Sequence, residues 1–305
     1  MHLSKKILII RLGALGDFIQ SFFAFAAIRQ HHTSDHITLL TTKPFVELGH
    51  NSPWFDRVLI DERPHFFNLI GNLKLAQNLS GYDFVYDLQT SKRSTRYFKL
   101  AGKPKWSGIA RNASHQHSNP KRNEMHTIDR QRDQLRQTGI TRFPAPEVNW
   151  LIRQFPGIKD LKRYAVLVPG CSKKRPEKRW PIESYAEIAN LCIHNNITPV
   201  VVGGYEERSL VAVLQSKCPE VVNLVGKTSI FNLAAVFADA LFALGNDTGP
   251  MHIAAIVGCP SIVLFSSSSD PLLTAPRGKN VKIITQPILK DLTVKKVARE
   301  LKWVH

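Results

Sequence analysis

Residues 240–255, "ALFALGNDTGPMHIAA", change character twice. An apolar run of strand length gives way to a polar knot between two glycines, and the knot opens onto apolar residues at helical spacing. A buried strand that turns directly into a helix is the repeating unit of a parallel sheet covered on both faces. The same rhythm extends in both directions. Upstream stand "YAVLVPG" (164–170), "ITPVVVGG" (197–204) and "VVNLVG" (221–226), and downstream "SIVLF" (261–265). A first series precedes them: "KILIIR" (6–11), "HITLLTT" (36–42), "DRVLID" (56–61), "YDFVYDLQ" (82–89) and "KWSGIA" (105–110). The polar, proline-containing passage "TRFPAPEVNW" (141–150) separates the two. The expectation is an α/β protein with two Rossmann-like domains facing one another, residues 1–155 and 156–305. "LKDLTVKKVARELKW" (289–303) reads as a closing helix starting at Asp291.

The 305 residues carry a formal charge of +17, unevenly spread. Residues 1–91 are nearly balanced, whereas residues 92–142 hold 13 Lys/Arg against 3 Asp/Glu. Such a block favours a polyanion: nucleic acid, an anionic membrane surface, or a phosphorylated small molecule. Nucleic-acid binding calls for aromatic platforms among the cations, and this block offers only Tyr97, Phe98 and Trp106. The one candidate leader is interrupted by Arg11 and Asp17, so neither a signal peptide nor a spanning helix is expected and the cytoplasm is the expected compartment. Cys171, Cys192, Cys218 and Cys259 form no C-x-x-C pair and read as reduced packing residues.

In open α/β sheets ligands gather at the carboxyl ends of the strands. Three loops there carry chemistry. "RLGALGD" (11–17) follows the first strand, and its Gly13 and Gly16 allow backbone amides to approach a ligand. It lacks the G-x-G-x-x-G of dinucleotide enzymes. Asp17 is either a helix cap worth about 1 kcal/mol or a general base. "VPGCSKKRPEKRWP" (168–181) places Lys173, Lys174, Arg175, Lys178 and Arg179 where phosphate oxygens could be neutralised. In "GNDTGPMHIAA", Thr248 and the amides at Gly249 could bind phosphate, Asp247 could take sugar hydroxyls, and His252 lies one turn into the helix. Structurally, Asp247 or Thr248 could instead be a cap and His252 a packing residue.

Taken in order, "ILIIRLGALGD", "DLQ" (87–89), "HTIDRQRDQL" (126–135), "PGCSKKRPEKRWP", "GGYEER" (203–208) and "GNDTGPMHIAA" resemble glycosyltransferase family 9, the ADP-heptose:lipopolysaccharide heptosyltransferases. The resemblance implies the GT-B architecture, two Rossmann-like domains across a cleft. It also implies inverting transfer of heptose from ADP-heptose to the inner core of lipopolysaccharide, at the inner face of the inner membrane. No cofactor or metal is implied, and the sequence has no D-x-D element. On the matching positions, Asp17 is the base and Lys178 stabilises the leaving diphosphate. Gly170, Ser172, Glu206 (or its neighbour Glu207), Asp247, Thr248, Gly249 and His252 bind the donor. Gly13, Gly16, Asp87, Gln89, Lys92, Arg93 and Arg96 bind the acceptor. With Lys121, Arg122 and Arg130, the last three are expected on a surface facing acceptor and membrane. The alternative is another GT-B transferase or an epimerase using a different nucleotide sugar, with a basic nucleic-acid-binding protein more remote.

Overall fold

The computed structural model describes residues 4–65, 67–172 and 175–301. The chain forms two compact units, Met1–Glu147 and Val148–His305. Residues 148–155, which the sequence reading places in the first domain, belong to the second, where Trp150 meets Phe231 edge-on and Arg153 lies over the same ring.

In the first unit the order is β1 (Lys6–Ile10), α1 (Leu15–Gln20), α2 (Phe22–His31), β2 (His36–Thr41), α3 (Val46–Asn51), β3 (Arg57–Ile60), α4 (Leu69–Leu79), β4 (Phe84–Asp87), α5 (Lys92–Leu100), β5 (Trp106–Gly108), β6 (His115–Gln116) and α6 (Thr127–Arg136). The second contains β7 (Tyr164–Val168), α7 (Ile182–His194), β8 (Thr198–Val201), α8 (Arg208–Lys217), β9 (Val222–Asn223), α9 (Ile230–Ala238), β10 (Phe242–Asn246), α10 (Gly249–Ile256), β11 (Ser261–Phe265), α11 (Pro271–Thr274), β12 (Val281–Thr285) and α12 (Val294–Glu300). All ten expected strands form. β6 and β12 were not expected. Both are edge strands, one of two polar residues and the other half exposed, so neither shows the continuous apolar run of a doubly covered strand.

Each unit is a six-stranded parallel sheet, ordered β3-β2-β1-β4-β5-β6 in the first and β12-β11-β10-β7-β8-β9 in the second. Counted within its own unit, the second order is the first one reversed on the page, so both sheets are doubly wound. The chain changes direction of build between β1 and β4, and again between β7 and β10. At such a switch point the loops on either side diverge and leave a crevice.

Apolar burial on both faces explains the inner strands. Every residue of β7 and of β11 is buried. One face of the first sheet packs Leu8, Ile10, Leu40 and Val85 with Tyr97 and Trp106. α1 and α2 add rings, with Phe18 stacked on Phe45 at 4.9 Å and Phe22 tilted against Trp54. In the second unit Leu167, Val201, Leu244 and Leu264 pack with Trp180 and Tyr185. The helix expected as one piece after β1 is two. It breaks at Ser21, whose hydroxyl donates to the Asp17 carbonyl. The closing helix starts later than expected: Asp291 ends a single 3-10 turn, and Thr293 caps α12 by accepting from the Lys296 amide. Residues 302 and 303 of that expectation lie outside the described residues. All four cysteines are buried and unpaired, and burial pushes the Cys192 and Cys259 thiols up to about 12.

Asn246, the last residue of β10, is fully buried and spans the second switch point. Its Oδ1 accepts from the Trp180 amide (3.0 Å) and the Tyr185 hydroxyl (3.1 Å), while Nδ2 donates to the Pro169 carbonyl (2.8 Å). Removing this amide orphans the Trp180 amide and the Pro169 carbonyl and leaves the Tyr185 hydroxyl only the Val168 carbonyl at 3.3 Å. Asn246→Ala should therefore lower unfolding free energy by about 3 kcal/mol, measurable by urea titration, whereas an exposed change such as Asn195→Ala should not.

Candidate active site

The first unit's switch point is built around Arg11. Its amide continues the ladder to Leu40, and its buried guanidinium donates Nη1 to the Leu88 carbonyl at 2.6 Å, tying the loop after β1 to the loop after β4. Gln89 makes the reverse tie, its Oε1 accepting from the Leu12 amide at 2.8 Å. Gly13 has φ +114°, and a Cβ there would stand 2.6 Å from Phe45, so the loop is open only to glycine. Gly16 and Asp17 follow in the first turn of α1. The N-cap is Ala14, so Asp17 is not the cap that sequence reasoning allowed.

Asp17 instead pairs with Arg11. Nη2 lies 3.3 Å from Oδ1, near enough for an ion pair though not aligned as a hydrogen bond, and the two side chains are 5% and 46% exposed. The arginine is thus sunk into the protein and the carboxylate stands at the surface. Burial holds the Arg11 guanidinium below its ordinary range, opposed by the Asp17 charge. Arg130 is half-buried and feels the same charge, and Arg122 feels Arg130, so three guanidiniums gather around Asp17 and Asp87. Asp133 and His117 hold Arg122: His117 Nε2 lies 2.8 Å from Asp133 Oδ2, and its Nδ1 accepts from Arg122 Nε at 3.2 Å. Arg122 and Arg130, expected on a surface facing acceptor and membrane, lie near the carboxylates of this switch point. Arg96 is turned elsewhere and donates to Asn72 of α4 at 2.7 Å, while Lys92 and Arg93 are exposed at the start of α5.

Asp87 does not present itself to a ligand. It is fully buried, and its Oδ1 accepts from the amides of Gln89 (3.1 Å) and Thr90 (2.9 Å). Among the described residues Oδ2 has no hydrogen-bond partner. Burial pushes this carboxyl up to about 6, against those bonds and the Arg11 charge.

In the second unit the loop after β7 meets the end of β10. Lys178 Nζ lies 2.5 Å from Asp247 Oδ2, both side chains largely buried. Ser269 Oγ donates to the same oxygen at 2.8 Å, so Oδ1 accepts nothing from a described residue. Sequence reasoning missed Ser269, which lies 22 positions along the chain in the otherwise uninformative run "SSSSD". Thr248 is the N-cap of α10, its side chain making no cap bond, and Gly249 and Pro250 begin the helix. His252 is buried one turn in. The amides at that end carry the partial positive charge that binds anions. Lys173 and Lys174 lie outside the described residues. Ser172 is exposed, and Arg175 donates to the Ser268 carbonyl at 3.3 Å.

Of the two glutamates, Glu207 is buried against the loop after β7. A Cβ at Gly170 would sit 2.8 Å from its carboxyl carbon. Burial, then the neighbouring Glu206 charge, raises its pKa. Glu206 itself is exposed and curls back toward Gly204. Among the described residues no three His, Cys, Asp or Glu are placed to hold a metal ion, and no helix is long and apolar enough to cross a membrane.

Two doubly wound parallel-sheet units, each with polar side chains gathered at its switch point, are the fold of the GT-B glycosyltransferases. The model of glycosyltransferase family 9 (heptosyltransferase) matches residues 72–304, and the chain belongs to that family. It is 26% identical to the lipopolysaccharide core heptosyltransferase OpsX of Haemophilus influenzae, over 89% of this chain and 82% of that one. Its fold is also found in solved structures. A family 9 glycosyl transferase from Veillonella parvula matches with TM-score 0.84 and 20% identity, covering 100% of this chain and 98% of that one. The E. coli heptosyltransferase WaaC, solved with ADP, matches with TM-score 0.80 and 21% identity, covering 98% and 100%.

A carboxyl whose pKa rises on folding binds its proton more tightly in the folded chain. The stability it contributes is full below the unfolded value and is lost as pH climbs through about 6. Between about pH 4 and about pH 7, wild type should lose about 3 kcal/mol relative to Asp87→Asn, read from paired urea titrations.

Proposed function

We propose that this glycosyltransferase moves heptose from ADP-heptose to the inner core of lipopolysaccharide, with inversion and without a metal. The observation that carries the reading is the second switch point, where Lys178, the Lys178–Asp247 pair and the start of α10 meet. A diphosphate seated there would face a cation and helix amides, the groups that stabilise growing charge on a leaving phosphate. Asp247 Oδ1 would then accept from sugar hydroxyls, and His252 would back the diphosphate. Glu207 suits the ribose better than Glu206, because it lines the loop after β7. OpsX, by its name a lipopolysaccharide core heptosyltransferase, and WaaC, solved with ADP, support heptose and ADP as donor parts.

Inversion takes one displacement. The acceptor oxygen attacks the anomeric carbon while the bond to the diphosphate breaks, ADP departs, and Asp17 takes the hydroxyl proton. Its half-exposed carboxylate is reachable, and the ion pair with Arg11 aims it. Arg122 and Arg130 would hold the acidic groups of the acceptor. Gly13, Gly16, Gln89 and Asp87 serve by fixing the loop. Lys92, Arg93, Arg96 and Lys121 add attraction toward anionic lipid, which supports a protein working at the cytoplasmic face of a membrane in peripheral contact with it.

The test is to incubate the protein with ADP-heptose and heptose-deficient lipopolysaccharide and weigh the product; no gain of one heptose overturns the reading. ADP, UDP and GDP compared as thermal stabilisers check the base, and ADP should raise the midpoint most. Asp17→Asn should keep ADP affinity while kcat falls roughly 10²- to 10⁴-fold; unchanged turnover puts the base elsewhere. Lys178→Ala should weaken ADP binding and lower kcat about 10²-fold or more, and full activity removes it from the diphosphate site.

A further inference from the structure

α4 is amphipathic in an unusual sense. Leu75 and Leu79 face the core, yet Leu69, Ile70 and Leu73 point outward at 77%, 85% and 65% exposure. Phe67, just before the helix, is 79% exposed. Leu69, Ile70 and Leu73 share one surface through the i, i+3 and i+4 spacing of the helix, and Phe67 stands exposed two residues ahead of it. A contiguous patch of this sort marks a contact surface rather than scattered exposure.

Its surroundings are cationic. Lys74 sits on the next position, mostly exposed and only 3.8 Å from Glu62, and Arg96 of α5 reaches across to Asn72. Lys92, Arg93 and Lys99 are exposed along α5, which packs on α4. A second copy of this chain would bring the same positive rim against it, on a molecule of net charge +17. An anionic lipid surface meets both features at once: apolar side chains enter the acyl boundary and cations stay among the headgroups.

We propose that Phe67, Leu69, Ile70 and Leu73 form a wedge that inserts into an anionic phospholipid bilayer, with Lys74 and the basic face of α5 on the headgroups. This rests on the peripheral membrane contact proposed above and assigns it to a specific surface. Insertion there would hold the enzyme where a lipid-linked acceptor presents its sugars, at no cost to the buried face of α4.

Sedimentation with vesicles of phosphatidylglycerol and phosphatidylcholine tests it without donor or acceptor. Wild type should bind, and should bind vesicles of phosphatidylcholine alone more weakly. The triple variant Leu69→Gln, Ile70→Gln, Leu73→Gln should lose at least about tenfold in partition while turning over a deacylated, soluble acceptor like wild type. Ile288→Gln, which removes an apolar side chain 59% exposed in the second unit, should bind as wild type does. In wild type, amide hydrogen exchange over residues 67–73 should slow when vesicles are added. Binding by the triple variant equal to wild type, or unslowed exchange over 67–73, overturns the wedge while leaving membrane contact standing. Wild type that fails to bind any vesicle overturns both, and heptose transfer remains a separate measurement.

Discussion

The buried amide of Asn246 is the constraint on which the second unit's switch point depends. At a switch point the two central strands send their loops to opposite faces of the sheet, and nothing in the ladder holds those loops to one another. Asn246 does so with both ends of its side chain: it accepts from Trp180 and Tyr185 and donates to Pro169. Pinning the Trp180 amide fixes the end of the loop that carries Lys178, and the next residue along is Asp247. The Lys178–Asp247 pair therefore sits between two lengths of backbone that are already tied.

The first unit meets the same topological problem with a different side chain. Arg11 spans from β1 to the carbonyl after β4, and Gln89 returns the bond. A buried guanidinium is costly unless its charge is met, and here Asp17 supplies the opposite charge from the surface. One residue thus closes the loop and orients the carboxylate. The second link to that turn runs through Ser21, whose hydroxyl donates to the Asp17 carbonyl and accepts from Gln131 of α6. α6 also carries Arg130, so the helix that supplies a cation near Asp17 braces the turn that holds it.

Much of the architecture was legible because inner strands of a parallel sheet must be apolar on both faces. "YAVLV" and "SIVLF" admit few other readings, and the loops after such strands could be searched for chemistry before any coordinates. Edge strands need not obey that logic: β3 and β9 still read as strands, whereas the two polar residues of β6 and the half-exposed β12 did not. Asp17, Lys178 and Asp247 stood out because each lies in a glycine- or charge-rich loop. Their partners did not. Ser269, His117 and Asp133 meet their targets through the fold, and no local period announces a bond to Asp247 or a chain leading to Arg122. Glu206 and Glu207 are adjacent and chemically alike, and only the direction in which each side chain leaves its turn distinguishes them. Asp87 illustrates a different failure: the motif "DLQ" marked it, but as an acceptor contact rather than the buried turn-former it is.

The burial of all four thiols has a practical bearing. Cys171, Cys192, Cys218 and Cys259 are enclosed and held away from the thiolate form, so the folded protein should react only slowly with maleimide and iodoacetamide. The native chain can therefore serve as its own cysteine-free background. A single thiol introduced on the surface would be the one fast-reacting site for a spin label or dye, while slow modification of the native four would clock how often the core opens.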